Sequence, residues 1–129
     1  MPKPELPRPT EAELAILRVL WERGPSTVRE VTDVLQEERG TGYTTALKLL
    51  QIMTEKGLVQ RDETSRAHAY EAVASAERTQ RQLVSDLLDR AFGGSARQLV
   101  LQALSAKRAS RDELAEIRSL LDEFEKKAK

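Results

Sequence analysis

The sequence predicts a mostly α-helical fold carrying one small β-hairpin, and three observations lead to it. The apolar content, 40% of 129 residues, is mainly Leu, Ala and Val with aromatics at only 4%, a mix that favours helices over a β-sandwich. Apolar side chains recur at helical spacing in six separate stretches, most opened by a Ser or Thr able to cap a helix. One stretch, after Gly57, alternates polar and apolar instead, as a half-buried strand does. A chain of this length makes one good-sized domain or two very small ones, burying about two-thirds of its extended surface.

Residues 1–9, MPKPELPRP, hold four of the five prolines and no helical period, so a flexible leader is expected there. Thr10 stands three residues before Glu13, the spacing of a capping box, and starts a first helix whose stripe is Leu14, Leu17, Val19, Leu20 and Trp21. Gly24-Pro25 ends it, the glycine reaching the left-handed region and the proline unable to continue a helix. Ser26 or Thr27 caps a second helix, with Val28, Val31, Val34 and Leu35 on one face, running to the loop at 38–42. A third helix spans about Thr44 to Lys56 and buries Ala46, Leu47, Leu50 and Met53. Its other face carries Thr44, Thr45, Lys48, Gln51, Ile52 and Glu55.

The alternating LVQRD and AHAYEAV, separated by Glu63-Thr64-Ser65-Arg66, make a β-hairpin. Ser75 caps a fourth helix with Leu83, Val84, Leu87, Leu88, Ala91 and Phe92, broken at Gly93-Gly94. Ser95 opens a fifth with Leu99, Val100, Leu101 and Leu104. Ser110 and Glu113 form a second capping box for a sixth, which carries Leu114, Ile117, Leu120, Leu121 and Phe124.

Three helices followed at once by one hairpin is the order of a winged helix-turn-helix module, here residues 10–74, in which the third helix enters the DNA major groove. Residues 75–129 then form a helical dimerisation domain. Three helices with such regular stripes would expose more apolar area than a monomer tolerates, so a second copy is the expected cover. The contacts fall to Leu83, Leu87, Leu88, Phe92, Leu99, Val100, Leu104, Leu114, Ile117, Leu121 and Phe124.

Composition removes most chemistry. With no cysteine there is no disulfide, thiolate metal site or cysteine nucleophile, and the single His68 cannot build a polyhistidine site, so neither a metal nor another cofactor is expected. No Walker or GxGxxG loop occurs, and no acid–base or nucleophile motif accompanies His68, so an enzyme is not expected. No apolar run is long enough to span a membrane and no secretory leader opens the chain, which points to the cytoplasm.

Net charge is zero, with 10 basic and 12 acidic side chains in residues 1–72 and 11 and 9 beyond, so DNA contact must come from a local patch. The stretch TGYTTALKLLQIM supplies one: Thr41, Tyr43, Thr44 and Thr45 at the helix start, then Lys48 and Gln51. Thr hydroxyls reach phosphate or base edges, and Gln pairs with adenine in a bidentate way. Arg61 and Arg66, flanking and tipping the hairpin, suit phosphates. Against this stands the reading of a solvated face on a core helix. A helical adaptor whose winged helix binds protein instead of DNA is the other functional class open at zero net charge. Trp21 and Tyr70 sit among apolar neighbours and are expected in the core.

Four segments resemble the BlaI/MecI/CopY family of bacterial winged-helix repressors. TEAELAILRVLWERGPSTVREV is similar to its opening helix, GYTTALKLLQIMTEKGLV to its recognition helix, SRAHAYEAV to its wing return, and FGGSARQLVLQALSAKRASRDELAEIRSLLDEFEKK to its dimerisation tail. The resemblance implies a homodimer that binds an inverted-repeat operator in double-stranded DNA, often with TACA and TGTA half-sites, and blocks promoters. It also implies a membrane-embedded metallopeptidase sensor, or its protease, as partner and release by cleavage of the repressor. Three features depart from the pattern. The absence of cysteine removes the metal motif of the copper-responsive branch. Ile52 stands where many members have arginine, which leaves the operator open. After the run Leu99-Val100-Leu101 comes Gln102-Ala103 in place of Asn-Phe, so release by a cut at Gln102-Ala103, by a bound ligand or by turnover all stay open.

Overall fold

A computed structural model describes residues 7–64 and 68–128. Helix α1 spans Glu11–Arg23, α2 Val28–Arg39 and α3 Tyr43–Lys56. Strands β1 (Val59–Asp62) and β2 (Ala69–Ala72) follow, then α4 (Ala76–Phe92), α5 (Ala96–Ala106) and α6 (Arg111–Lys127).

Local chemistry sets these boundaries. At the head of α1, Thr10 Oγ1 accepts from the Glu13 amide at 3.2 Å and Glu13 Oε1 accepts from the Thr10 amide at 2.8 Å, which satisfies two otherwise orphaned donors. The same reciprocal box holds α2, between Thr27 and Glu30, where spacing had suggested only a single cap. Gly24 closes α1 at φ 84, ψ −167, a glycine-only region and not the left-handed helical well expected from the sequence. At Gly57 the chain does turn left-handed. The Leu58 amide returns to the Met53 carbonyl at 2.9 Å, so α3 passes straight into β1.

The hairpin is antiparallel with Val59 opposite Ala72 and Arg61 opposite Tyr70. Ser26 adds an isolated antiparallel bridge to β2: its amide donates to Tyr70 O at 2.9 Å and its carbonyl accepts from the Tyr70 amide at 2.7 Å. The segment entering α2 is thereby fastened to the wing.

One core serves all of these elements. Ile16, Leu17, Val19 and Leu20 of α1 meet Val31 and Leu35 of α2, Leu50 and Met53 of α3, and Leu58, Val59 and Tyr70 of the hairpin region. Leu14 and Trp21, expected on the core stripe, are only half-buried and flank it, while Ile16, which the stripe omitted, is completely enclosed. The Trp21 indole N–H donates to the Ala74 carbonyl at 3.0 Å and ties α1 to the chain leaving the wing.

By its internal packing the chain divides into two compact units between Val84 and Ser85, inside α4. The reason is visible in the first turns of α4: Thr79 is buried, and Ala76, Thr79 and Leu83 line a groove with Leu14 and Trp21. In the second unit, no residue of α5 or α6 is buried. Ser95 and Ser110 cap these helices by accepting from the Gln98 and Glu113 amides, each at 3.1 Å. At Ser110 that bond alone stands where a reciprocal box was expected.

Candidate nucleic-acid interface

The packing of α3 decides which of its side chains face outward. Ala46, Leu50 and Met53 are completely buried, and at 100° per residue the arc opposite them, about 60° wide, holds Thr44, Lys48, Gln51 and Glu55. All four are exposed, as are Ile52 and Thr45, just beyond one side of the arc, and Tyr43, farther round the helix at its first turn. The resulting face has hydroxyl, ammonium, amide and carboxylate groups in successive turns, the functional groups that read base edges and phosphates. Thr41 lies before the helix, half-buried, its amide donating to Leu35 O at 3.3 Å.

Two further elements frame this face. The N-cap of α3 is Gly42, which offers no side-chain acceptor, so the first-turn amides of α3 have no side-chain cap. Beside them, Arg29 of α2 places its guanidinium carbon 5.5 Å from the centre of the Tyr43 ring. Nothing in the local spacing marked Arg29, because its partner lies on the next helix. On the other side, Gln51, Thr54 and Glu55 line an open groove with Arg61 and Tyr70 of the hairpin. Arg61 lies over the Tyr70 ring at 5.9 Å and stays exposed. The structure therefore brings Arg61 beside the far end of the α3 face. Arg66 lies outside the described residues.

The orientation of α3 is fixed from beneath by an ion pair that spacing could not reveal. Lys56 Nζ donates to Glu13 Oε1 at 2.7 Å, joining the last turn of α3 to the first turn of α1. The Glu13 side chain is 3% exposed. Burial pushes its pKa up, and this is outweighed by the Lys56 ammonium and the Thr10 amide, which hold the carboxyl below its ordinary value. The buried carboxylate thus serves twice, as helix cap and as tether.

Among the residues expected at a dimer interface, Leu83, Leu88, Phe92, Leu99, Leu114 and Ile117 are half-buried. Leu87, Val100, Leu104, Leu121 and Phe124 are exposed, Phe124 to 66%. Gln102 and Ala103 lie inside α5. His68 is exposed at φ 52. Among the described residues no group of His, Cys, Asp or Glu is arranged to hold a metal, and no helix is long and apolar enough to cross a membrane.

The sequence profile of the penicillinase repressor family matches residues 9–123. The chain belongs to the penicillinase repressor family. It is 34% identical over 122 residues to the transcriptional regulator BlaI of Mycobacterium tuberculosis (strain CDC 1551 / Oshkosh), an alignment covering 94% of this chain and 88% of that protein. It is 19% identical over 113 residues to the methicillin resistance regulatory protein MecI of Mammaliicoccus sciuri, covering 88% of this chain and 92% of that one. The solution structure of monomeric Bacillus licheniformis BlaI in complex with the blaP half-operator superposes with a TM-score of 0.51 at 20% identity, over 57% of this chain and 89% of that one. That likeness is one of fold. Within the penicillinase repressor family, then, this member is a mostly helical winged helix-turn-helix protein with three further helices.

Proposed function

We infer that this penicillinase repressor family member is a DNA-binding transcriptional repressor that grips an inverted-repeat operator as a homodimer and lets go on a signal. The observation that carries the reading is the α3 face itself: Thr44, Lys48 and Gln51 stand opposite the core-facing residues of a helix framed by a hairpin whose Arg61 lines a groove with Gln51. In this reading residues 10–74 hold the DNA. Thr44, Thr45 and Gln51 address base edges, and Thr41, Tyr43, Lys48, Arg61 and Arg66 the backbone and its neighbourhood. Residues 75–129 pair two copies through the apolar side chains that α4, α5 and α6 leave uncovered. The protein works by binding and not by catalysis, and it acts in the cytoplasm. Zero net charge is compatible with this because the phosphate contacts need only a local cluster.

The test is a gel shift of the purified full chain on the intergenic DNA upstream of its own gene, repeated across a salt series. A dimer neutralising several phosphates loses affinity steeply with salt, the logarithmic slope being about −0.9 for each phosphate contacted. Binding without salt dependence, or none at all, would remove the reading. Lys48→Ala should weaken all sequences alike and flatten the slope by about one.

A further inference from the structure

We propose that Arg29 and Tyr43 form a paired clamp for one backbone phosphate of duplex DNA, Arg29 donating to the phosphate and Tyr43 acting as the positioning residue that holds the guanidinium in place. The proposal rests on the reading of α3 as the DNA-facing helix and adds to it a contact from α2.

Arg29 has a carboxylate one turn along its own helix, Asp33, at the spacing that usually gives a surface ion pair. No such pair forms. Arg23, by contrast, lies 3.5 Å from Glu30. Arg29 instead reaches across to the next helix, with its guanidinium carbon 5.5 Å from the Tyr43 ring centre, and makes no ion pair among the described residues. Resting over a ring occupies no N–H, so the five guanidinium donors stay available while the charge is held at the junction of α2 and α3. A guanidinium is also the side chain best matched to phosphate, since two of its N–H groups can donate in parallel to two oxygens.

Both partners are exposed, Tyr43 to 45%, so neither is needed to fill the core. Tyr43 begins α3 one residue before Thr44. A cation fixed there lies beside the residues proposed to read the bases, and the helix-turn-helix mode runs the preceding helix across the backbone at that place. Holding a long, flexible side chain in its binding position before the DNA arrives removes part of the ordering cost of association.

The experiment uses the full-length protein and a duplex enriched by it from a randomised pool, with dissociation constants measured across a sodium chloride series. Arg29→Ala is expected to weaken binding about tenfold, as befits one hydrogen bond to a charged group, and to reduce the salt slope by about one. Arg29→Lys should keep the slope but recover only part of the affinity. Tyr43→Phe should keep the coupling to Arg29, because the ring is what holds the cation: adding Arg29→Ala to it should cost as much as in the wild type. Tyr43→Ala should weaken binding and keep the slope, yet cost nothing further in the Arg29→Ala background. All these side chains are exposed, so thermal melting should not move and serves as the folding control. Wild-type affinity and slope in Arg29→Ala, measured where Lys48→Ala does lose affinity, would overturn the clamp alone. Additive losses from Arg29→Ala and Tyr43→Ala would also overturn it, because the two side chains would then act separately. If the full chain enriches no duplex, the reading of α3 falls and the clamp with it.

Discussion

Gln51 sits on the outward arc of α3, one turn after Lys48 and one before Glu55, on the side where it lines a groove with Arg61. A glutamine placed there can pair with adenine through both amide atoms, so Gln51→Ala is expected to cost about 1–3 kcal/mol on a mapped operator and to relax preference at one base pair. Competition among single-base operator variants reads this directly. Uniform weakening across all variants would assign Gln51 to the backbone instead. Beneath the same helix, Glu13 makes a pH-dependent contribution. Its folded pKa is depressed below the ordinary 4.5, so its stabilisation is fully present above that value and is lost as pH falls through the lower, folded one. Glu13→Gln should therefore flatten the acid side of the stability curve and lower stability near neutrality by about 1–3 kcal/mol. Urea melts at graded pH would show it. Of these two residues only Gln51 was legible as functional from the sequence. Spacing revealed Glu13 as a cap, but its partner Lys56 is 43 positions away, and local patterns carry no record of such a pairing. Arg29 was missed for the same reason, its partner ring being on another helix.

The helices themselves were largely readable, because their ends are written in local chemistry. Thr10, Thr27, Ser75, Ser95 and Ser110 each accept from an amide three residues on. Which face α1 buries was less so. A single stripe describes a helix lying on one surface, whereas α1 packs against α2, α3 and β2 together, so its buried arc widens to include Ile16 and Glu13. Helix ends also set where the C-terminal half can be cut. The Gln102–Ala103 bond lies within α5, and a protease needs an extended strand, so cleavage there requires the helix to open first. Lys107, just past the end of α5, is already extended at φ −142, ψ 128 and exposed, and Arg108 follows it. Brief trypsin digestion should release fragments ending at Lys107 or Arg108 before any other cut within α5 and α6. Mass spectrometry of the first products checks this, and early cuts at arginines inside α6 would contradict it.

For the whole molecule, the apolar side chains left uncovered beyond Val84 set the expected assembly. Leu87, Val100, Leu101, Leu104, Leu120, Leu121 and Phe124 are exposed in the single chain, and such a set is costly in water at about 25 cal/mol for each Å². A second copy of the same helices offers a matching surface. Leu87→Asp tests this cleanly, because Leu87 is half exposed in one chain and its replacement need not disturb the fold of that chain. Burying a carboxylate in an apolar interface without a partner costs several kcal/mol, so the variant should sediment as a monomer with wild-type helix content. The consequence for operator binding follows from linkage between the two modules. Once one half-site is held, the second contact is intramolecular at an effective concentration of about millimolar, which can raise overall affinity by about 10²–10⁴ without any new contact to DNA. Leu87→Asp should lose that factor on a two-half-site operator and lose nothing on a single half-site. A shortened chain makes the same comparison if it ends at Val84 and not at residue 74, since Thr79 is buried and Leu83 shares a groove with Leu14 and Trp21. Residues 1–84 should bind an isolated half-site as the full chain does and a full operator no better. Full operator affinity in either variant would show that the paired helices are not what holds two modules on one operator.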